Sequence, residues 1–430
     1  MSDTVRVGIA GLGTVGAGVV KLLAAQSGLL ARRSGNAITV TAVSARNRGR
    51  DRGIDIGHLR WHDNPVDLAA ADDVDVVIEL IGGEDGPAKA VVETAIAAGK
   101  HVVTANKALV ARHGTALAQA AEDVGVALNF EAAVAGGIPI VKAMREGLSG
   151  NRYSRVYGIL NGTCNYILTE MESSGADFAD VLRDAQELGY AEADPAFDID
   201  GVDAAHKLAI LTSLAFGCPV DFDAVHVEGI RPVEAIDITF ARELGYRIKL
   251  LAIAGQTPHG IAQRVHPCMV PANTPIAHVD GVFNAVVVDG DFVDRTIYEG
   301  RGAGEGPTAS AVVADIVDIA RGIRLPTFSV PANSLEALPA AAMERHVGPY
   351  YIRLVVYDRP GVMADISAIL RDERISMESL LQRGRAPDEP VPLVMITHDT
   401  EEAAMTGALA KIGTLDCVCE PPKMIRIELL

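Results

Sequence analysis

The run Gly11-Leu12-Gly13-Thr14-Val15-Gly16 stands between an apolar stretch, Val5-Arg6-Val7-Gly8-Ile9-Ala10, and a segment of helical character over 15–25. Glycines at this spacing let a buried strand turn at once into a helix. Gly11 permits the tight turn, Gly13 lets backbone approach a pyrophosphate, and Gly16 lets helix and strand pack closely. The helix start at Thr14 and Val15 adds N–H groups and partial positive charge. Alone the motif is a weak signal, but its strand–turn–helix context marks a dinucleotide-binding βαβ unit.

Further strands are expected at 38–43, 74–81 and 101–104, with helices at 87–98 and 114–123. Strands apolar on both faces and alternating with helices imply a parallel sheet covered on both sides. Residues 1–131 therefore read as a Rossmann-type NAD(P)-binding domain in an α/β chain. Beyond Glu131 the pattern changes to strands near 155–160, 247–254, 261–270, 284–289 and 292–298, with helices near 178–188 and 201–216. This is the reading of an α+β catalytic and dimerisation domain over 132–321, whose last part, about 300–321, returns to complete the first domain. Prolines at 326, 331, 339 and 349 mark 322–349 as a linker. Strands at 350–357, 374–381, 391–397 and 423–428 and helices at 361–371 and 401–412 then give a βαββαβ module over 350–430.

A formal net charge of −18 argues against nucleic acid or an anionic membrane as partner. Five unclustered cysteines make no disulfide framework, so a reducing cytoplasm is the expected compartment. The apolar run Val7–Val20 mimics a signal-peptide core, but its glycines at 8, 11, 13, 16 and 18 suit a strand and turn, and it is too short to span a bilayer.

After the second strand the chain reads Ser44-Ala45-Arg46-Asn47-Arg48-Gly49-Arg50. No acid is placed to hold a ribose 2′-hydroxyl, whereas Arg46 and its neighbours match a 2′-phosphate by charge and forked geometry. NADP(H) is favoured, with NAD(H) the alternative. Gly304, in the loop before the returning helix, can present backbone to the cofactor as the first loop does.

Five carboxylates, Glu192, Asp194, Asp198, Asp200 and Asp203, precede Lys207. A calcium loop centred on Gly201 would put Ala196 and Lys207 where acids are required, so that reading fails. Asp203 and Lys207 are four apart on a mostly apolar helix, as an internal salt bridge or part of a site. Lys107 follows the strand 101–104, at the carboxyl end where open α/β sheets bind ligands.

The run from Ala185 through Gly189-Tyr190-Ala191-Glu192-Ala193-Asp194-Pro195 to Asp203 and Lys207 resembles the signature of homoserine dehydrogenase. GLGTVG, TANKALVA at 104–111, EAAVAGGIPI at 131–140 and GILNGTCNYI at 158–167 resemble that family's other motifs in the same order. The resemblance implies NAD(P)-dependent interconversion of L-aspartate 4-semialdehyde and L-homoserine. Lys207 becomes the proton donor, Asp203 its orienting partner, and Lys107 a group between nicotinamide and substrate. Glu192, Asp198 and Tyr190 would hold the substrate's amino or hydroxyl end, and Gly162 and Thr163 its carboxylate. Glu131, with the carbonyls of Val134, Gly136 and Ile138, would hold a sodium ion. The module containing Asp358-Arg359-Pro360-Gly361-Val362 resembles an ACT domain, with threonine the expected effector and a homodimer or homotetramer the expected assembly. Two rivals stand beside this reading. Cys164 could be the nucleophile of an acylating semialdehyde dehydrogenase, or the chain could be a non-catalytic amino-acid sensor, which retention of both lysines argues against.

Overall fold

Strands β1 (Thr4–Ala10), β2 (Ala37–Ser44), β3 (Arg60–His62), β4 (Val76–Glu79), β5 (His101–Thr104) and β6 (Leu128–Asn129) form a parallel sheet in the order 3-2-1-4-5-6. The computed structural model describes residues 4–383 and 387–430 of the chain. Helices α1 (Thr14–Ala25), α2 (Ser27–Ser34), α3 (Pro65–Ala70), α4 (Pro87–Ala97) and α5 (Lys107–Asp123) lie around this sheet. Val7, Ile9 and Ile78 face one apolar core, and Ala10, Val77 and Val102 face another. Burial on both faces is why these strands carry no polar alternation. The apolar N-terminal run is thus core strand and α1, and among the described residues no single helix is long and apolar enough to cross a membrane.

The middle of the chain supplies α6 (Ile140–Lys142), β7 (Tyr153–Ile159), α7 (Gly162–Ser174), α8 (Phe178–Glu187), α9 (Ala196–Ile199), α10 (Val202–Phe216) and β8 (His226–Val227). It continues with α11 (Ala235–Glu243), β9 (Tyr246–Thr257), β10 (Gly260–Pro271), β11 (Phe283–Gly290), β12 (Asp294–Arg301) and α12 (Glu305–Ala320). Helix α12 packs on α1: a Cβ at Gly18 would lie 2.7 Å from Glu305 Cγ, and Ala309, Val312 and Ile316 enter the core of Val7 and Ile9.

The C-terminal part adds β13 (Val347–Gly348), β14 (Tyr350–Tyr357), α13 (Val362–Asp372), β15 (Met377–Gln382), β16 (Pro390–Thr397), β17 (Thr400–Glu401), α14 (Glu402–Ile412) and β18 (Lys423–Ile427). The expected βαββαβ order is present, but its sheet is not separate. The strands run β12-β11-β7-β9-β10-β18-β14-β16-β15, with β8 also on β10. Strand β18 pairs in parallel with β10, Cys268 beside Arg426, and antiparallel with β14. Tyr351, Val394, Ile396, Ile425 and Ile427 share one core with Ile248, Val265 and Met269. The proline-rich stretch before it is docked too. Phe328 is fully buried against Phe130, and the Thr327 and Ala332 amides donate to the Glu122 carboxylate at 3.1 and 2.7 Å.

Two differences from the sequence reading border the cleft. Helix α5 begins at Lys107 rather than near 114, because the Asn106 side chain caps it by accepting the Leu109 N–H at 3.1 Å. The Asn161-Gly162-Thr163 turn is the start of a 13-residue helix, with Asn161 capping through the Cys164 N–H at 2.8 Å.

Candidate active site

The carboxyl ends of the parallel strands face the helical layer of the second sheet across a cleft of about 660 Å³. Val15, Gly82 and Lys107 line one wall, Gly162, Thr163, Asp198, Asp203 and Lys207 the other, and Gly302–Gly304 the rim. A larger cavity, about 920 Å³, lies between the sheet and residues 340–349 and contains none of these groups.

On the nucleotide side, Gly11 has φ of 109°, and a Cβ there would lie 2.5 Å from the Leu80 carbonyl. A Cβ at Gly16 would lie 2.1 Å from the Gly11 carbonyl, which is the close helix–strand approach that the motif serves. A Cβ at Gly13 would meet nothing within 4 Å, so that face of the loop is open. Gly13 is the N-cap of α1, no side chain caps it, and no acid occupies the first turn. Open backbone, free helix N–H groups and no competing carboxylate fit a dinucleotide phosphate. Gly304, φ 117°, opens α12 on the same cleft. Arg46 is exposed just beyond the end of β2, and Arg52 reaches back to the Leu12 carbonyl at 2.9 Å. Buried Glu79 fixes the next loop, accepting the Ile81 and Gly82 amides at 2.7 and 3.1 Å and the Thr104 hydroxyl at 2.6 Å.

Deeper in the cleft, α10 starts at Gly201 in left-handed conformation, putting Asp203 in its first turn and Lys207 one turn later. Lys207 Nζ donates to Asp203 Oδ2 and to the Leu160 carbonyl, both at 2.7 Å. Lys107 Nζ comes from the opposite wall to Asp203 Oδ1 at 2.8 Å. The Asn161 amide bridges the acids, donating to Asp203 Oδ2 and Asp198 Oδ1 at 2.8 Å each. Burial would raise the Asp203 carboxyl, but the charges of Lys207 and Lys107 hold it well below the usual carboxylate range. Burial pushes the Lys207 ammonium down, aided by Lys107, and Asp203 offsets only part of this. Burial also opposes charge on Lys107, yet Asp203 and Asp198 hold its ammonium above the ordinary value. Burial and the Asp203 charge raise Asp198. The result is one permanent anion between two ammoniums of opposite tendency, one prone to release its proton and one to keep it.

Tyr190, 46% exposed, and Thr163 stand at the cleft mouth, the Thr163 hydroxyl donating to the Tyr190 carbonyl at 2.9 Å. Glu192 is not gathered with them. It is exposed, outside the cleft lining, and its backbone carbonyl is tied to Gln186 at 3.0 Å. Sequence reading did not assign the amide bridge of Asn161, the capping of Asn106, or Asn284, a buried side chain in the cleft wall whose Oδ1 has no hydrogen-bond partner among the described residues. The N-cap position before a helix was the signal for the first two.

Cys164 is fully buried, its Sγ 3.2 Å from the Asp198 carbonyl, and burial raises the thiol well above its ordinary range. Such a sulfur is no nucleophile. Cys164→Ser should keep kcat within about threefold of the parent, since the nucleophilic role that would cost orders of magnitude is absent. A fall of about a thousandfold in initial rate would restore the acylating reading.

Glu131 lies apart from the lysines, accepting the Val141 and Lys142 amides at 2.9 and 2.8 Å, with its own N–H on Asp315 Oδ2 at 2.9 Å. Burial and the Asp315 charge push its carboxyl up to about 8. Val134 and Ile138 are buried, and Gly136 has φ of 52°. The Ile138 carbonyl accepts the Ile140 amide at 2.8 Å. Among the described residues no group of three His, Cys, Asp or Glu side chains could hold a metal ion.

Comparison with known proteins bears on all of this. The family model for homoserine dehydrogenase matches residues 139–317, that for the NAD-binding domain of homoserine dehydrogenase 11–131, and that for the ACT domain 350–415. Homoserine dehydrogenases of Neisseria gonorrhoeae and Pseudomonas aeruginosa are each 46% identical, over 99% of this chain and 99% of theirs. The crystal structure of a homoserine dehydrogenase from Thiobacillus denitrificans superposes with a TM-score of 0.95 at 47% identity, covering 100% of this chain and 99% of that one. A hyperthermophilic archaeal homoserine dehydrogenase in complex with NADPH aligns to 75% of this chain and 99% of its own, at 26% identity and a TM-score of 0.65.

Proposed function

The chain belongs to the homoserine dehydrogenase family and carries a C-terminal ACT domain, and from that premise we propose how its residues share the reaction. The enzyme interconverts L-aspartate 4-semialdehyde and L-homoserine with NAD(P) and has a regulatory module. The observation that carries the assignment of roles is Asp203 held between two lysine ammoniums at the cleft floor.

When bound in the cleft, NAD(P)H would supply the hydride for the aldehyde carbon. Lys207 Nζ gives its proton to the alkoxide oxygen that forms, and its burial-lowered pKa makes it the better acid of the two lysines. Asp203 orients both ammoniums, and Lys107, which keeps its charge, stabilises the developing oxyanion. Asp198 and Tyr190 receive the α-ammonium, and the uncapped amides of Gly162 and Thr163 at the start of α7 receive the α-carboxylate. Gly11, Gly13, Thr14, Val15, Gly16 and Gly304 cradle the dinucleotide, and Arg46 pairs with a 2′-phosphate, which supports NADP(H) over NAD(H).

Finer features follow from the same reading. The turned backbone at Ala135 and Gly136, φ 54° and 52°, supports a sodium ion on Glu131 and the carbonyls of Val134, Gly136 and Ile138. The cavity of about 250 Å³ at Asp358 to Val362, with Gln382, has room for a small amino acid and supports threonine as effector. Phe292, 87% exposed, and Ile297, 42% exposed, by the edge strand β12 support self-association as a dimer or tetramer. Five free cysteines support the cytoplasm. We divide the chain into a nucleotide domain, 1–131 completed by about 300–321, a catalytic domain to 321, a docked connector to 349, and the ACT module.

The test is one set of assays on the purified protein: aspartate semialdehyde with NADPH or NADH, with and without threonine. Turnover is expected with NADPH favoured, and inhibition by threonine. Arg46→Ala should raise KM for NADPH about tenfold, since a charge-assisted phosphate contact contributes roughly 1.4 kcal/mol or more, and leave NADH unchanged. Absence of turnover with either nucleotide would remove the residue assignment.

A further inference from the structure

We infer that Arg426, in the last strand of the ACT module, is a positioning residue for the substrate site, acting through Glu228 on the short helix that carries Asp198. The inference rests on the reading above that Asp198 binds substrate.

Arg426 is 2% exposed and sits in β18, inside the shared sheet. Its guanidinium grips Glu228 with both forks, Nη1 to Oε2 at 2.8 Å and Nη2 to Oε1 at 2.9 Å. Its Nε donates at 3.0 Å to Glu402, the first residue of α14 in the ACT module. A planar bidentate pair of this kind fixes direction as well as distance. Glu228 follows β8, its own amide donates to the Val265 carbonyl of β10 at 2.7 Å, and His226 Nε2 lies 2.8 Å from Oε1.

The next residues hold α9 from behind. A Cβ on Gly229 would lie 2.2 Å from the Ile199 carbonyl and 2.5 Å from Asp200 Cα, so backbone presses on backbone. The Ile230 amide donates to the same Ile199 carbonyl at 2.8 Å. Arg231 pairs with Asp200, Nη2 to Oδ2 at 3.1 Å. Helix α9 has only four residues, Ala196–Ile199, too few to hold its own place. Its carboxyl end is set by segment 228–231, and the side chain anchoring that segment is held by the ACT module. Asp198 stands one residue before Ile199, with Oδ1 on Asn161 and the cleft in front. The path from Arg426 to Asp198 is therefore contiguous, each step a hydrogen bond or a close backbone contact rather than mere proximity. A shift of β18 or of α14 displaces Glu228, and with it the carboxylate that meets the substrate.

The experiment compares Glu228→Gln, Arg426→Gln, the double variant and Asp198→Asn in the full-length enzyme, with thermal melts alongside. Glu228 is half-exposed and its replacement keeps volume, so it avoids the folding risk of the buried arginine. Glu228→Gln should raise KM for aspartate semialdehyde about tenfold, with kcat within about twofold and KM for NADPH unchanged. Arg426→Gln should do the same among molecules that fold, and the double variant should be no worse than the single ones, because both act through one contact. An unchanged semialdehyde KM in Glu228→Gln, beside a raised one in Asp198→Asn, would overturn this inference alone. An unchanged KM in Asp198→Asn would overturn the substrate reading and the inference with it. A proportionate loss of kcat and melting temperature with no KM change would mean a structural role only.

Discussion

Lys207→Ala should lower kcat for semialdehyde reduction by about two to four orders of magnitude, the usual worth of a positioned general acid. The fold should survive, since alanine suits a helix interior and Asp203 keeps Lys107 at 2.8 Å. Lys207→Arg should be nearly as inactive: a guanidinium keeps the positive charge but does not give up its proton near neutral pH. That pair of variants separates proton donation from electrostatics, and steady-state kinetics with saturating nucleotide reads it. The pH profile follows from sign. Burial favours the neutral amine and lowers the Lys207 pKa, and reduction needs the protonated form. In the wild type kcat for reduction should therefore be level at low pH and fall as pH rises through that lowered pKa. Oxidation of homoserine needs the neutral amine as base and should rise over the same range. Lys207→Ala should lose both limbs. If it kept the wild-type profile at reduced height, the titrating group would be another residue.

Deletion of residues 350–430 should abolish soluble, folded enzyme rather than release an unregulated one. The module and the catalytic domain share a core, and removing Tyr351, Val394, Ile396, Ile425 and Ile427 strips cover from Ile248, Val265 and Met269. At roughly 1.5–3 kcal/mol for each large apolar side chain returned to water, uncovering these three costs about 5–9 kcal/mol, comparable with the whole stability of a domain. The deletion also leaves Asp237, 1% exposed, without the Tyr351 hydroxyl at 2.9 Å and Arg353 Nε at 2.7 Å. Among the described residues only the Glu234 amide, at 3.3 Å, then remains on that carboxylate, and stripping a buried carboxylate of its guanidinium partner is strongly destabilising. It bares the edge of β10 at Cys268 and Met269 as well, a template for aggregation. Soluble yield and a thermal melt measure the outcome. A soluble truncate with wild-type kcat would show that the shared core is dispensable.

Local chemistry made part of this legible from sequence. The glycine loop announced its turn because Gly11 and Gly16 leave no room for a side chain while Gly13 leaves the loop face open, and the sheet announced itself because strands buried on two faces cannot alternate. Asp203 and Lys207 could be paired in advance because four residues on a helix is a geometric distance. Lys107 could be placed at a strand end, though its meeting with Asp203, 96 positions later, needed the fold. Other placements also needed the fold. Glu192 lay in the right motif, but the chain turns it outward while Tyr190 lines the cleft. Asn161 carries no charge to draw notice, yet its amide joins the two acids. Residues 423–428 read as a strand, but period alone does not name a strand's neighbours, and here one of them belongs to another domain.

The return of α12 to the first sheet sets an order of events on the ribosome. The six parallel strands are complete by Asn129, but the face of β1 beneath α1 also needs Ala309, Val312 and Ile316. A nascent chain therefore carries a half-dressed nucleotide domain while more than 170 further residues emerge, from Asn129 to Glu305. Domains ordinarily fold as they leave the tunnel. In this enzyme the substrate half is an insertion whose two ends both enter the nucleotide domain, so the core under β1 is complete only once α12 has been made.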